Sequence, residues 1–255
     1  TWSRIIRESE AVYGSRENQI DQARKTFYQG FVAEAMERFC LNMEVLDNSG
    51  RKHKGVLNGQ DLAGWEATYE VPLTYHYTGL EIGKCGPWSQ GPVQLQTLAL
   101  LNEMGVADWN PVSTDFVHGV TEALKLAFAD REAYYGDPDF VKVPLKQLLS
   151  REYNRERSKE ISNRASLELR PGKISGFEVR MPEFDSSGRG DERFSAMGIG
   201  EPTVSKKGET RGDTCHVDVV DRWGNMVSAT PSGGWLQSSP MIPELGFCLN
   251  SRAQM

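Results

Sequence analysis

The chain has 255 residues, enough for one large domain or two ordinary ones. Hydrophobic residues make up 38% and charged residues 25%, which describes a globular protein and excludes a disordered one. A net charge of −6 argues against a phosphate-binding surface, so no nucleic-acid partner is expected, and no apolar run reaches the length of a membrane span.

The opening TWSRIIRESE has neither an initiator Met nor the pattern of a signal peptide. It points to a processed or excised piece whose targeting region is out of view. The compartment is read as cytoplasmic, with periplasmic and secreted locations left open. Cys40, Cys85, Cys215 and Cys248 show no paired short spacing, and His53, His76, His118 and His216 are scattered. No disulfide framework, metal or other cofactor is expected.

Residues 1–45 read as helical, with apolar residues recurring at Phe31, Val32, Ala35, Met36, Phe39 and Cys40 and a turn at Gly30. Asn58 is placed as the cap of a short helix through Trp65, with Asp61 in its first turn. ATYEVPLTYHYTGLEIGKC combines aromatic and β-branched residues with a Thr-Gly break, a hairpin pattern in which Pro72 marks an edge strand. GPVQLQTLALLNEMG predicts a compact helix with Pro92 in its first turn and Gly105 past its end. STDFVHGVTEALKLAFADREAYYGDP is the clearest helix; its core stripe is expected at Val117, Val120, Leu124, Ala127, Phe128 and Tyr134, and Gly136 and Pro138 stop it. Residues 176–213 are rich in Gly, Ser and charge without periodicity and read as a mobile linker.

Behind that linker the pattern changes to alternating strand. HVDVVD and NMVSAT flank Arg222-Trp223-Gly224, a three-residue turn. Symmetry about Trp223 pairs Thr214 with Ser232, and Gly233-Gly234 follow, allowing close approach of backbone or ligand. A slip by one residue is the alternative register. Thr214 is thus expected to open a buried strand directly behind Gly212-Asp213, and chemistry offers a use for that junction. A threonine hydroxyl is a poor nucleophile without a base. At the start of a chain, the α-amine of Thr214, with an ordinary pKa of about 7.7–8.0, would be that base near working pH. Exposing it requires scission of the Asp213–Thr214 bond, and the linker supplies the slack. On the residues alone, a domain linker beside an ordinary hairpin explains the same pattern, so both readings stand.

TCHVDVVDRWGNMVSAT resembles the start of the small subunit of γ-glutamyltransferases (glutathione hydrolases), N-terminal-nucleophile enzymes made as self-cleaving precursors. FADREAYYGDPDFVKVPLKQLLSREY, TFYQGFVAEAM and LELRPGK resemble stretches of the large subunit, and the match runs in order along nearly the whole chain. The resemblance implies an α+β fold, the four-layer αββα N-terminal-nucleophile sandwich, only partly covered by this chain. Residues 1–175 correspond to the second half of a large-subunit-like region, mostly helical. Residues 176–213 form the linker ending at the autoprocessing site, and 214–255 the start of a small-subunit-like region. It further implies Thr214 as nucleophile and Ser232 as supporting hydroxyl, where these enzymes usually have threonine. Activation would be an N-to-O acyl shift at Asp213–Thr214, and turnover would pass through an acyl-Thr214 intermediate. Cys215 is the rival nucleophile if the cut falls one residue later.

The substrate pocket departs from the family pattern. Gly234 replaces an expected asparagine, and the glutamine and aspartate that help hold a γ-glutamyl group fall near Arg252 and Met255. An arginine fork suits a carboxylate rather than an ammonium. Gly233, Gly234 and Arg252 are the candidate substrate-binding residues, with a surface or interface ion pair as the equal alternative for Arg252. The implied activity is hydrolysis or transfer of an acyl group from a γ-glutamyl or related small-molecule amide. Two alternatives stay open: an amidohydrolase or acylase acting on a non-glutamyl amide acid such as oxamate, and an uncleaved, non-catalytic homologue. The resemblance places the oxyanion-hole glycines and a carboxylate-gripping arginine outside this sequence. The expected partners are therefore the remaining segments of the same precursor, with a homo-oligomer left open.

Overall fold

The computed structural model describes residues 1–46, 52–181, 215–231 and 239–250. Helices and strands are both present, and the described strands pair as four separate two-stranded antiparallel ribbons. The chain divides into two compact units, Thr1–Ala67 with Asp185–Met255, and Thr68–Phe184. Among the described residues no helix is long and apolar enough to cross a membrane.

Three helices open the first unit: α1 (Trp2–Glu10), α2 (Arg16–Tyr28) and α3 (Phe31–Asn42). The Ser15 hydroxyl caps α2 by accepting the Asn18 amide. Gly30 begins α3, which buries Val32, Ala35, Met36 and Cys40 along one stripe. The expected helix to residue 45 stops short, because Met43 takes an extended backbone and Glu44–Leu46 (β1) pairs with Lys52–Lys54 (β2). Asn58 then caps α4 (Gly59–Gly64) with a complete capping box. Its Oδ1 accepts the amides of Gln60 and Asp61 at 2.8 and 3.1 Å, while Asp61 Oδ2 accepts the Asn58 amide at 3.0 Å.

The core of this unit joins residues far apart in sequence. Ile5, Val32, Ala35 and Met36 pack with Ile242 and Leu245. The latter two come from β7 (Met241–Ile242) and the turn that leads to β8 (Phe247–Cys248). The rings of Trp2, Phe27 and Phe247 stack, with centroids 6.3, 6.5 and 6.4 Å apart. Arg38 bonds Glu244 at 2.8 Å on the rim of that contact.

The second unit starts with β3 (Leu73–Tyr77) and β4 (Leu80–Lys84), turned by Thr78 and Gly79 at φ 46° and 86°. Two consecutive positive φ values are what a two-residue hairpin loop requires. Helix α5 (Gly91–Glu103) is buried on nearly every side, with Pro92 in its first turn and Gly105 beyond its end. It packs against α6 (Thr114–Tyr134) through Val93, Leu100, Leu101, Ala123, Leu126 and Ala127. Short α7 (Leu145–Leu148) and α8 (Arg151–Ser158) complete the unit.

Helix α6 buries only part of the expected stripe: Ala127 and Tyr134 are buried and Val120 packs against the core. Val117, Leu124 and Phe128 are exposed, whereas Gly119, Glu122, Ala123, Leu126, Asp130 and Ala133 turn inward. Small residues on that face leave room for close packing, and its two carboxylates hold the irregular segment 166–172. One oxygen of fully buried Asp130 accepts the Gly172 amide at 2.7 Å and Arg157 Nη2 at 3.3 Å. The other accepts Gln96 Nε2 at 2.6 Å and the Tyr153 hydroxyl at 2.8 Å. Glu122 accepts the Ser166 amide at 3.2 Å and Arg170 Nη2 at 2.9 Å, and pairs with Lys125. Burial pushes the Glu122 carboxyl up, but Lys125, the Ser166 amide and Arg170 together outweigh it and hold the group below the ordinary carboxylate range. A core tolerates carboxylates when they are paired and hydrogen-bonded in this way.

Candidate active site

The hairpin singled out by the sequence is formed by β5 (Val217–Val220) and β6 (Met226–Ala229), with Val217 opposite Ala229 and Val220 opposite Met226. This is the register centred on Trp223, and the one-residue slip is excluded for these rungs. Asp221 builds the turn. Its Oδ1 accepts the amides of Trp223 and Asn225, both at 2.9 Å, and its Oδ2 accepts Asn225 Nδ2 at 2.8 Å. Gly224 sits at φ 85°, the left-handed position that closes a three-residue loop. The Asn225 side chain and the turn amides hold the Asp221 carboxyl below its usual range.

Alternate residues of a strand share a face, so His216 and Asp218 stand on the same side. His216 bridges the two strands: Nδ1 lies 2.7 Å from Thr230 Oγ1, and Nε2 lies 3.0 Å from Asp218 Oδ2. Hydrogen bonding by Ser228, then by His216, holds the Asp218 carboxyl below its usual range, so at neutral pH it only accepts. An anionic Asp218 requires His216 Nε2 to carry hydrogen. In the neutral ring, Nδ1 is then the acceptor and the Thr230 hydroxyl donates to it.

Burial was expected where this strand begins, and the described part of it is exposed instead. Val217, Val219 and Val227 are 52%, 53% and 63% exposed. A two-stranded ribbon offers both faces to solvent, and among the described residues no layer covers either. Asp213, Thr214, Ser232, Gly233, Gly234 and Arg252 lie outside the described residues, as does most of the 176–213 linker. Cys215 is described and is exposed.

Sequence reasoning missed the ladder of His216, Asp218 and Thr230. The signal was available, since Thr214, His216 and Asp218 alternate with Cys215, Val217 and Val219 as a polar stripe of period two. Among the described residues, no group of three His, Cys, Asp or Glu side chains is arranged to hold a metal ion. The second unit also contains a cleft of about 600 Å³, lined in part by Met104, Trp109, Asp115, His118 and Ile161. There, His118 Nε2 lies 2.7 Å from the Ser162 carbonyl oxygen.

Comparison with known proteins decides the family. Residues 17–255 match gamma-glutamyltranspeptidase. The chain belongs to that family. It is 33% identical over 208 residues to the glutathione hydrolase proenzyme of Escherichia coli (strain K12), covering 80% of this chain and 29% of that protein. It is 32% identical over 199 residues to the Acylase ACY 1 proenzyme of Pseudomonas sp. (strain SE83), covering 77% of this chain and 30% of that protein. A solved structure of LmbA2991 is similar over 100% of this chain and 41% of its own, at 48% identity and a TM-score of 0.80. The chain spans about a third of the length of the curated relatives it matches, 33% for the glutathione hydrolase proenzyme of Bacillus subtilis subsp. natto. The stretch matched to gamma-glutamyltranspeptidase includes the whole hairpin and both its flanks.

Proposed function

We propose that this chain carries the self-cleaving junction of a γ-glutamyltranspeptidase-family hydrolase or acyltransferase, with Thr214 as its nucleophile. The observation that supports the reading is the β5/β6 register centred on Trp223, from Val217–Ala229 to Val220–Met226; extended outward by sequence alone, the same register would pair Thr214 with Ser232. In the precursor, the Thr214 hydroxyl attacks the Asp213 carbonyl carbon. The C–O bond forms as the C–N bond breaks, and the proton passes from the hydroxyl to the departing amine. Water then hydrolyses the ester, leaving Asp213 as a carboxylate and Thr214 as a new amino terminus.

The freed amine, ordinarily of pKa about 7.7–8.0, takes the Thr214 proton as the hydroxyl attacks a substrate amide and returns it to the leaving amine. Water or an acceptor amine resolves the acyl-Thr214 ester. Ser232 orients the attacking oxygen through a hydrogen bond. The surrounding fold is the four-layer αββα sandwich, completed by the remaining subunit segments of the precursor.

The acyl donor is a γ-glutamyl or related amide, with Gly233 and Gly234 giving it close access and Arg252 binding a carboxylate. A second reading, an acylase or amidohydrolase acting on a non-glutamyl amide acid such as oxamate, is favoured by the 32% identity to an acylase proenzyme. Turnover of oxamate but not of γ-glutamyl p-nitroanilide would select it. For the nucleophile itself, Thr214→Ala in the full-length protein is expected to remain one chain, while Thr214→Ser and Cys215→Ala are both cut before residue 214. Cutting of the Thr214→Ala protein at that bond, or its loss in Cys215→Ala, overturns the assignment.

A further inference from the structure

We propose that the cleft of the second unit binds an apolar ammonium ion, a primary amine on an aromatic or aliphatic body without a carboxylate. All its lining residues named here lie within Thr68–Phe184, so the inference does not rest on the assignment of Thr214. The cleft holds about 600 Å³, within the range of small-molecule sites. It is lined by the first turns of α6, by residues 161–163, and by Met104 and Trp109. Its apolar side is built around Gly119. A Cβ there would stand 2.7 Å from Trp109 and 3.2 Å from Met104, so the glycine lets both side chains close on α6, and Ile161 adds to the wall. These three side chains suit an apolar body, and an indole attracts a cation.

The polar side is largely committed to itself. The Ser113 hydroxyl donates to the Asn110 carbonyl at 2.7 Å and accepts the Phe116 amide at 3.1 Å. His118 Nε2 donates to the Ser162 carbonyl oxygen at 2.7 Å, and because a carbonyl only accepts, that direction holds for a neutral or a charged ring. Asn110 Oδ1 accepts the Val112 amide at 3.2 Å. The Asp115 carboxylate, by contrast, has no hydrogen bond or ion pair among the described residues, and no Lys, Arg or Glu lines the cleft beside it. A helix start attracts anions with the equivalent of about half a positive charge, but the full negative charge of Asp115 in the first turn of α6 outweighs it. A cation is therefore the charge that fits, and a carboxylate on the ligand would be repelled.

The test is a calorimetric titration of the full-length protein with 2-phenylethylamine, beside 3-phenylpropionate and 2-phenylethanol, which carry the same ring with a negative charge or none. The amine is expected to saturate with a dissociation constant of about 1 mM or tighter. The alcohol is expected to bind more weakly and the anion not at all. Asp115→Asn should weaken the amine by about threefold and leave the alcohol unchanged, a split that a merely structural role of Asp115 would not produce. Asn163→Trp, a bulky replacement at an exposed lining position, should abolish binding of both. It carries the test alone should Asp115→Asn not fold. No saturable binding of the amine, binding of the anion as tight as that of the amine, or wild-type affinity for the amine in either variant would each overturn the inference. An amine bound at the reacting hairpin instead would give the last of these results. Scission before residue 214 enters none of the readouts, so failure of either assignment leaves the other standing.

Discussion

At Gly119 a Cβ would stand 2.7 Å from Trp109 Cζ3 and 3.2 Å from Met104 Cε. Gly119→Ala forces the indole away from the buried face of α6, and about 1–3 kcal/mol of stability is expected to be lost, read as a lower urea midpoint. Gly224 differs, because nothing crowds its missing Cβ and only its φ of 85° constrains it. Alanine there costs about 1–2 kcal/mol through the left-handed backbone alone, and NMR should show the β5/β6 cross-strand contacts weakened. Asp130→Ala is expected to be worse than either. It leaves Arg157, whose side chain is 4% exposed, without its buried partner. The cost is about 3–5 kcal/mol, toward the lower end because Glu160 still pairs with Arg157.

The same carboxylates explain behaviour at the scale of elements. Glu122 anchors Ser166 and Arg170 of segment 166–172 to α6, so acid should loosen that segment. Glu122 has a folded pKa below its unfolded one. Its contribution is therefore complete above the ordinary carboxylate pKa of about 4.3 and is lost as pH falls through the lower folded value. Thermal unfolding between pH 6 and pH 3 should show a fall below about pH 4 that Glu122→Gln flattens; identical curves for the two proteins would contradict the anchoring role. Elements whose signals are local were legible in the sequence. The Asn58 cap, the Thr78-Gly79 turn, and Pro92 and Gly105 at the ends of α5 all act within a few residues of themselves. The buried face of α6 was legible only in part, at Ala127 and Tyr134, because apart from Lys125 the partners of its carboxylates lie 23 to 48 positions away. The start of β1 was also taken as helix, whereas Glu44–Leu46 pairs with Lys52–Lys54.

For the whole molecule, the family was legible in four quoted stretches, and the hairpin register in its turn, where Asp221 and Gly224 act on adjacent amides. The docking of residues 239–250 onto the N-terminal helices was not, since Trp2, Phe27 and Phe247 carry no mark of their shared contact. Exposure of Val217, Val219 and Val227 ran against the alternation that made the strand look buried, because alternation reports which residues share a face, not whether anything covers it. The proposed reacting residues, Thr214 and Ser232, were named from the sequence and lie outside the described residues. The account therefore turns on one covalent event. Intact mass of the purified full-length protein under denaturing conditions, with N-terminal sequencing of each product, measures it directly. Two chains, one beginning Thr-Cys-His-Val, are predicted; a single aged chain with the Asp213–Thr214 bond intact would contradict the account.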